Sequence, residues 1–311
     1  MLLLVRSLTH ESTGVLSVQL VDPAGAALPP WEPGAHLDLH LPGGLSRQYS
    51  LSGDPADPSS YRLGVLREEA GRGGSAYVHD TLRPGQLVEV AGPRNHFRLD
   101  PAASYVFVAG GIGITPILPM LAEVTAAGAD WSLLYGGRTA GSMAFVAELG
   151  QYGQRVTLWP QDTHGLLDLD GLLGTPRPDT LVYACGPEPL LVAVEQRMAR
   201  WPAASLHLER FAAPVVERDP ADDEALEVVL AETGRTVLVP PDRSVLDMLL
   251  EEGVDVLHDC QEGICGSCEV KVIEGEVDHR DFVLSDPEKA ANGCMMVCVS
   301  RACGNRLVLG V

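Results

Sequence analysis

Cysteines are concentrated near one end of this chain, and their placement constrains the fold more than any other feature. The chain has seven, and six fall in its final stretch: Cys260, Cys265, Cys268, Cys294, Cys298 and Cys303. The segment Met1–His10 has a short leucine run but no cationic segment ahead of a longer apolar stretch, so it is not typical of a secretory signal. Crowded cysteines in such a chain favour a metal or cluster site over a disulfide framework. We therefore expect a cytoplasmic protein with a metal centre.

The spacing of these cysteines indicates which centre. Residues 260–268 form a C-x4-C-x2-C run with two glycines inside it. This spacing is typical of plant-type [2Fe–2S] ferredoxins, which need a fourth, distant cysteine. Glycines let the loop curl so that backbone N–H groups point at the sulfurs. The predicted ligands are Cys260, Cys265, Cys268 and Cys298.

Two other interpretations of the cysteines remain open. Cys294 is the rival for the fourth position, and otherwise Cys294 and Cys303 are small buried or incidental residues. Structural zinc is less favoured than a cluster, because zinc loops usually pair two C-x2-C knuckles.

Charge limits the class of partner. The chain has 22 Lys and Arg against 42 Asp and Glu, which gives a formal charge of −20 and a pI near 4.7. Such a surface repels phosphate backbones and favours a protein partner with a basic docking patch. The other interpretation is that the charge only keeps the protein soluble. The one long uncharged run, residues 105–122, is broken by glycines and prolines, so we expect no membrane span.

The pattern of apolar residues divides the chain into three domains. Residues 1–99 are short alternating segments cut by turns, as in a small antiparallel β-barrel. Residues 100–214 alternate strands with helices, which predicts a doubly wound α/β domain. Residues 215–224 are rich in acids and proline and are predicted to be a linker. Residues 225–311 begin with a hairpin and a short helix and then contain the cysteine loop.

Two turns of the α/β domain are candidate nucleotide sites. Residues 110–116, GGIGITP, follow an apolar strand and precede a helix, where glycines let a pyrophosphate approach the helix N-terminus; a close packing turn has the same appearance. Residues 185–187, Cys-Gly-Pro, end another strand at the carboxyl edge of the sheet, where ligands bind. The predicted cofactor-binding residues here are Gly110, Gly111, Gly113, Thr115, Cys185, Gly186 and Pro187.

The predicted barrel contains two weaker signals. In the first, Arg47 and Tyr49 share one face of a strand and Ser50 follows them. In the second, residues 73–75, Gly-Gly-Ser, precede a predicted helix and are suited to a phosphate. Taken alone, a surface arginine and an ordinary turn explain both.

Together, these motifs and their order resemble the phthalate dioxygenase reductase family, which includes vanillate demethylase reductases, over the whole chain. The resemblance implies a flavin barrel, an NADH domain and a C-terminal α+β (β-grasp) ferredoxin domain. It implies that Arg47, Tyr49 and Ser50 contact the flavin and that Gly73, Gly74 and Ser75 bind the FMN phosphate. The run Asp278–Asp281 also matches the family, without a role that we can derive.

The resemblance further implies where the reaction occurs. Thr115 and residues 185–187 flank the nicotinamide, and Phe211, after Glu209, lies near the flavin ring. The predicted catalytic residues are accordingly Ser50, Thr115, Cys185 and Phe211.

The implied function is a reductase that takes hydride from NADH onto FMN and passes single electrons through the cluster to a Rieske-type oxygenase. The 73–75 turn favours FMN over FAD. NADH is preferred to NADPH, with Arg138 suited to a ribose or a 2′-phosphate. A cytochrome P450 is the alternative acceptor. A different class of function, a non-catalytic redox sensor, leaves the nucleotide turns unexplained, and the long interval before Cys298 disfavours a permanent dehydrogenase subunit. We expect a monomer.

Overall fold

The computed structural model describes residues 1–69, 71, 73–214 and 223–311. The chain forms two compact units, Met1–Arg210 and Phe211–Val311. The predicted linker lies outside the described residues except for Asp223 and Glu224, and the boundaries at 99 and 214 stay a prediction. Across the described ranges, no helix has both the length and the apolar character needed to cross a membrane.

The first part of the N-terminal unit is an antiparallel sheet that closes on itself. Its elements are β1 (Leu2–Ser12), β2 (Val15–Val21), β3 (Ala35–Leu41), β4 (Leu45–Ser50), β5 (Tyr61–Leu66), α1 (Gly74–Asp80) and β6 (Leu87–Asn95). The strand order is β4-β3-β6-β1-β2-β5, and a bridge between Leu51 and Leu63 joins the two edge strands. Alternate side chains such as Tyr61, Leu63 and Val65 point into the core. The predicted barrel is confirmed.

The second part of this unit is a parallel sheet with helices. Its elements are β7 (Ser104–Gly110), α2 (Ile114–Ala126), β8 (Asp130–Gly137), α3 (Val146–Leu149), β9 (Val156–Pro160), α4 (Gln161–His164), α5 (Leu169–Leu173), β10 (Thr180–Cys185), α6 (Glu188–Met198) and β11 (Leu206–Glu209). The order β11-β10-β7-β8-β9 reverses between β7 and β10. β7 reads as a continuous apolar run because both of its faces are buried. The doubly wound fold is confirmed, and its switch point is the expected ligand edge.

The C-terminal unit is a mixed sheet with short helices. Its elements are β12 (Leu226–Leu230), β13 (Thr236–Val239), α7 (Val245–Glu251), β14 (Glu269–Glu274), β15 (Val277–Asp278), α8 (Asp286–Ala291), β16 (Cys294–Met296), β17 (Arg301–Ala302) and β18 (Arg306–Leu309). The five-stranded order is β13-β12-β18-β14-β16, with β12 and β18 parallel, and β15 pairs with β17. The predicted hairpin, short helix and α+β class are confirmed. The cysteine loop, residues 260–268, leads directly into β14.

Candidate functional site

The two glycine-containing turns of the α/β part meet at the switch point. A Cβ on Gly113 would collide with the carbonyl of Cys185 and lie 2.7 Å from the nitrogen of Gly186, and one on Gly110 would lie 2.7 Å from Pro187. These glycines are therefore required for packing, as the alternative interpretation of the motif held. Gly111 differs, because it has φ +56° and faces open space, so its backbone is open to a ligand.

The predicted flavin residues of the barrel lie close together. A Cβ on Gly74 would run into the Arg47 side chain, so the turn before α1 rests against this arginine. Gly73 has φ +91°, a conformation that favours glycine. The Ser75 hydroxyl accepts a hydrogen bond from the Glu68 backbone N–H at 3.0 Å. The structure thus places a guanidinium beside a turn without side-chain bulk, an arrangement suited to a phosphate.

Tyr49 lies two residues beyond Arg47 on the same edge strand, β4, where it pairs with Leu37 of β3. Burial raises the pKa of its phenol to about 12, and the charge of Arg47 opposes this rise. Tyr49 therefore stays neutral at physiological pH and offers a ring with a hydrogen-bonding hydroxyl.

Two of the predicted catalytic residues converge on a carboxyl group that sequence analysis did not place in the site. The Ser50 hydroxyl donates to Glu209 Oε2 at 3.5 Å, and the Cys185 thiol donates to the same oxygen at 3.8 Å. Burial raises the pKa of Glu209 to about 8, against the lowering effect of these two hydrogen bonds. Burial, together with Glu209, also raises the pKa of Cys185 well above its ordinary value. Both groups are therefore protonated for the most part near neutral pH.

The other two predicted catalytic residues lie differently. Thr115 is buried at the start of α2, and its hydroxyl donates to the Ile112 carbonyl at 2.9 Å, so its polar group is satisfied within the turn. Its methyl group contacts the barrel, because a Cβ on Gly64 of β5 would lie 2.5 Å from it. Phe211 opens the C-terminal unit with its side chain exposed.

The four predicted cluster ligands form two pairs. Cys260 interacts most strongly with Cys265, and Cys268 interacts most strongly with Cys298. The interaction within each pair lowers the pKa of Cys265 and of Cys268 and raises the pKa of Cys260 and of Cys298, so one thiol of each pair favours the thiolate form that binds iron. In the described part of the chain, no three His, Cys, Asp or Glu side chains group around a single metal-sized site. Two thiol pairs fit the two irons of a [2Fe–2S] cluster.

Backbone N–H groups surround the paired sulfurs. Glu262 N–H donates to Cys260 Sγ at 3.3 Å, and Ser267 N–H donates to Cys265 Sγ at 3.4 Å. Such donors stabilise the added negative charge of a reduced cluster. Cys294 lies instead on β16, where burial and neighbouring carboxylates raise its pKa to about 11, whereas Cys298 is the main partner of Cys268. Cys303 is exposed.

Comparison with known proteins identifies two domains of the chain. Residues 228–303 match the 2Fe-2S iron-sulfur cluster binding domain, and residues 107–196 match the oxidoreductase NAD-binding domain. The phenoxybenzoate dioxygenase subunit beta of Ectopseudomonas oleovorans is 42% identical, over 95% of this chain and 92% of its own length. The predicted cluster-binding and NAD-binding functions of these two regions are thereby confirmed.

Solved structures extend the match. The phthalate dioxygenase reductase structure is 37% identical, with a TM-score of 0.72, and the match covers 100% of this chain and 98% of that one. An intact type IV self-sufficient cytochrome P450 monooxygenase is 46% identical with a TM-score of 0.96, and this chain spans 41% of its length. The resemblance and the oxidoreductase prediction are confirmed: the chain belongs to the phthalate dioxygenase reductase family, whose members combine an NAD-binding domain with a [2Fe–2S] domain.

Proposed function

We propose that this chain is the reductase component of an oxygenase system, which takes hydride from NADH onto FMN and passes single electrons through a [2Fe–2S] cluster to a Rieske-type oxygenase. The observation that carries the proposal is the full-length match to a dioxygenase subunit and a dioxygenase reductase. The two ends of the electron path, an NAD-binding domain and a cluster domain, occur in one chain. We further propose that the protein is a cytoplasmic monomer.

The flavin, when bound, supplies a centre that accepts two electrons as hydride and releases them one at a time. We propose that Arg47 and residues 73–75 hold its phosphate, and that Tyr49 and Ser50 contact its ring system. Our preference for FMN rests on Arg47 lying against the 73–75 turn, an arrangement suited to a terminal phosphate. Arg138 directly follows β8 and is our candidate for a contact to the adenosine ribose of NADH.

The protein itself positions the reacting rings and keeps two nearby groups protonated. Cys185 and Glu209 occupy adjacent strand ends, because Cys185 of β10 pairs with Glu209 of β11. Both are protonated for the most part near neutral pH, so they present hydrogen-bond donors rather than repelling charge to a bound nicotinamide and flavin. We propose Ser50, Cys185 and Glu209 as the groups that orient the reacting rings, with Thr115 and Phe211 as further contacts.

We propose that the cluster ligands are Cys260, Cys265, Cys268 and Cys298. A test uses the Cys298→Ala variant with Cys303→Ala as the control, since Cys303 is exposed and outside both thiol pairs. We expect Cys298→Ala to keep NADH-dependent reduction of ferricyanide, which takes electrons from flavin. It should lose most reduction of cytochrome c, which takes them from the cluster. Full cytochrome c reduction by Cys298→Ala would contradict the proposed path.

A specific observation favours a second acceptor. The P450 monooxygenase relative has a higher identity to this chain than the two dioxygenase relatives described above. The two acceptors are separated by mixing the NADH-reduced protein with a purified Rieske oxygenase or a substrate-bound P450 and following reoxidation of the cluster. Fast reoxidation by the Rieske protein supports the main proposal, and fast reoxidation by the P450 alone supports the second. Repeating the reduction with NADPH tests the nucleotide preference.

A further inference from the structure

The run Asp278–Asp281, to which sequence analysis gave no role, lies against the cluster loop of the C-terminal unit. The backbone N–H of Phe282, the next residue, donates to the Gly263 carbonyl at 2.8 Å. Gly263 belongs to the cysteine loop and directly follows Glu262, whose N–H donates to Cys260 Sγ at 3.3 Å. A short chain of backbone contacts therefore leads from this run to one of the proposed cluster ligands.

The carboxylate of Asp281 holds this segment in place. It is fully buried, and its Oδ1 accepts hydrogen bonds from the N–H groups of Val283 at 3.1 Å and Leu284 at 2.8 Å. The backbone of Asp281 is also in close contact with the loop, because a Cβ on Gly263 would lie 3.2 Å from the Asp281 Cα. Since one oxygen fixes two consecutive N–H groups just after Phe282, the direction of the Phe282 N–H is fixed as well.

The same run contacts the chain that follows Cys298. The backbone N–H of Arg280 donates to the Ser300 hydroxyl at 3.1 Å, and Asp278 pairs with Arg301 across β15 and β17. Both segments that carry proposed ligands, the three-cysteine loop and the Cys298 segment, are thus attached to these four residues.

The Asp281 carboxylate also lies beside a buried histidine. Asp281 Oδ2 and both ring nitrogens of His279 are buried, and none has a hydrogen-bond partner among the residues that the structure describes. His279 Nδ1 lies 3.5 Å from Asp281 Oδ2, too far for a good hydrogen bond.

We propose that Asp281 is a positioning residue for the cluster: through Phe282 and Gly263 it holds the loop in which the Glu262 N–H donates to Cys260, and this raises the reduction potential of the cluster. The proposal rests on the proposed function, because it requires the cluster at the two thiol pairs. A donor N–H stabilises the more negative, reduced form, so a weaker N–H···S bond makes reduction less favourable.

The test is an EPR-monitored redox titration of the cluster in the full holoprotein. Asp281→Asn removes the charge but keeps an oxygen that can accept from both N–H groups, whereas Asp281→Ala removes the charge and the acceptor. Both variants lack the charge, so the difference between their reduction potentials measures the effect of the hydrogen-bond acceptor alone. We expect the Asp281→Ala cluster to have a reduction equilibrium constant about tenfold below that of Asp281→Asn, which is about 59 mV for a one-electron couple. Asp286→Asn, at an exposed position of α8, should match the wild type.

Equal potentials in Asp281→Asn and Asp281→Ala would overturn the proposal. If Asp281→Ala does not retain a cluster, Asp281→Leu replaces it, because leucine branches at the same carbon as aspartate and has no oxygen that can accept from the two N–H groups. Its potential should also lie below that of Asp281→Asn, and equality would again overturn the proposal. A wild-type protein with no cluster signal would instead contradict the proposed function.

Discussion

Replacing Glu209 by glutamine tests the electrostatics of the proposed hydride-transfer site. Glutamine has nearly the same shape and removes only the titrating group. Glu209 receives the Ser50 and Cys185 hydrogen bonds, and burial raises its pKa from 4.5 to about 8. Between about pH 4.5 and about pH 8, the native state therefore holds a proton that the unfolded chain has released.

The sign of the effect on stability follows from linkage. Where the native state binds more protons than the unfolded state, stability falls as the pH rises. The contribution of Glu209 is thus fully present below about pH 4.5 and is lost as the pH rises through about 8. The gap between 4.5 and about 8 corresponds to about 5 kcal/mol at 1.36 kcal/mol per pH unit. This is an upper limit, because Glu209 as a whole residue is only partly buried and water screens it.

The assay is urea unfolding of the full holoprotein, followed by the fluorescence of released flavin as a signal from the unit Met1–Arg210. We expect the wild-type free energy of unfolding to fall by about 1–4 kcal/mol more than that of Glu209→Gln between about pH 5 and about pH 8. Glu123→Gln, at an exposed position of α2, should follow the wild type. Parallel pH profiles for wild type and Glu209→Gln would refute a buried, protonated Glu209.

Two glycine substitutions test the packing of the proposed sites. Gly113→Ala should force apart the turns that meet at Cys185, at a cost of about 1–3 kcal/mol, and raise the KM for NADH, whereas Gly150→Ala, which faces open space, should leave both unchanged. An unaltered KM would contradict the contact. Gly263→Ala adds a Cβ at φ +71° and 2.7 Å from the Val299 side chain, so cluster absorbance per protein should drop well below that of Gly304→Ala, which faces open space. Equal cluster content would show that the loop tolerates the added atom.

Local features of this molecule were predictable from its sequence. The cysteine loop is fixed by spacing within residues 260–268, and the glycine turn at 110–116 is fixed by the strand before it and the helix after it. Both are short-range patterns, so the chain alone indicates where each turn lies. The barrel and the parallel sheet also follow from period-two alternation and from a continuous apolar run such as β7.

The residues that sequence analysis missed depend on long-range pairing. Glu209 enters the site only because β11 pairs beside β10 in a register that puts it opposite Cys185. The available signal was an acidic residue at the end of an apolar strand, at the sheet edge where ligands bind. Asp281 is likewise proposed to act through Gly263, which is distant in sequence. The resemblance of the Asp278–Asp281 run to a family did not indicate this contact. The role of Gly113 in packing was left open because a ligand turn and a packing turn use the same residue type.

The most direct test of the central claim is an anaerobic NADH titration of the purified protein, followed by visible absorption and low-temperature EPR. The account predicts that NADH bleaches a bound flavin and that a [2Fe–2S] signal appears in the same sample. A protein that lacks flavin, or whose cluster stays oxidised when NADH is in excess, would contradict the reductase function and favour a redox sensor.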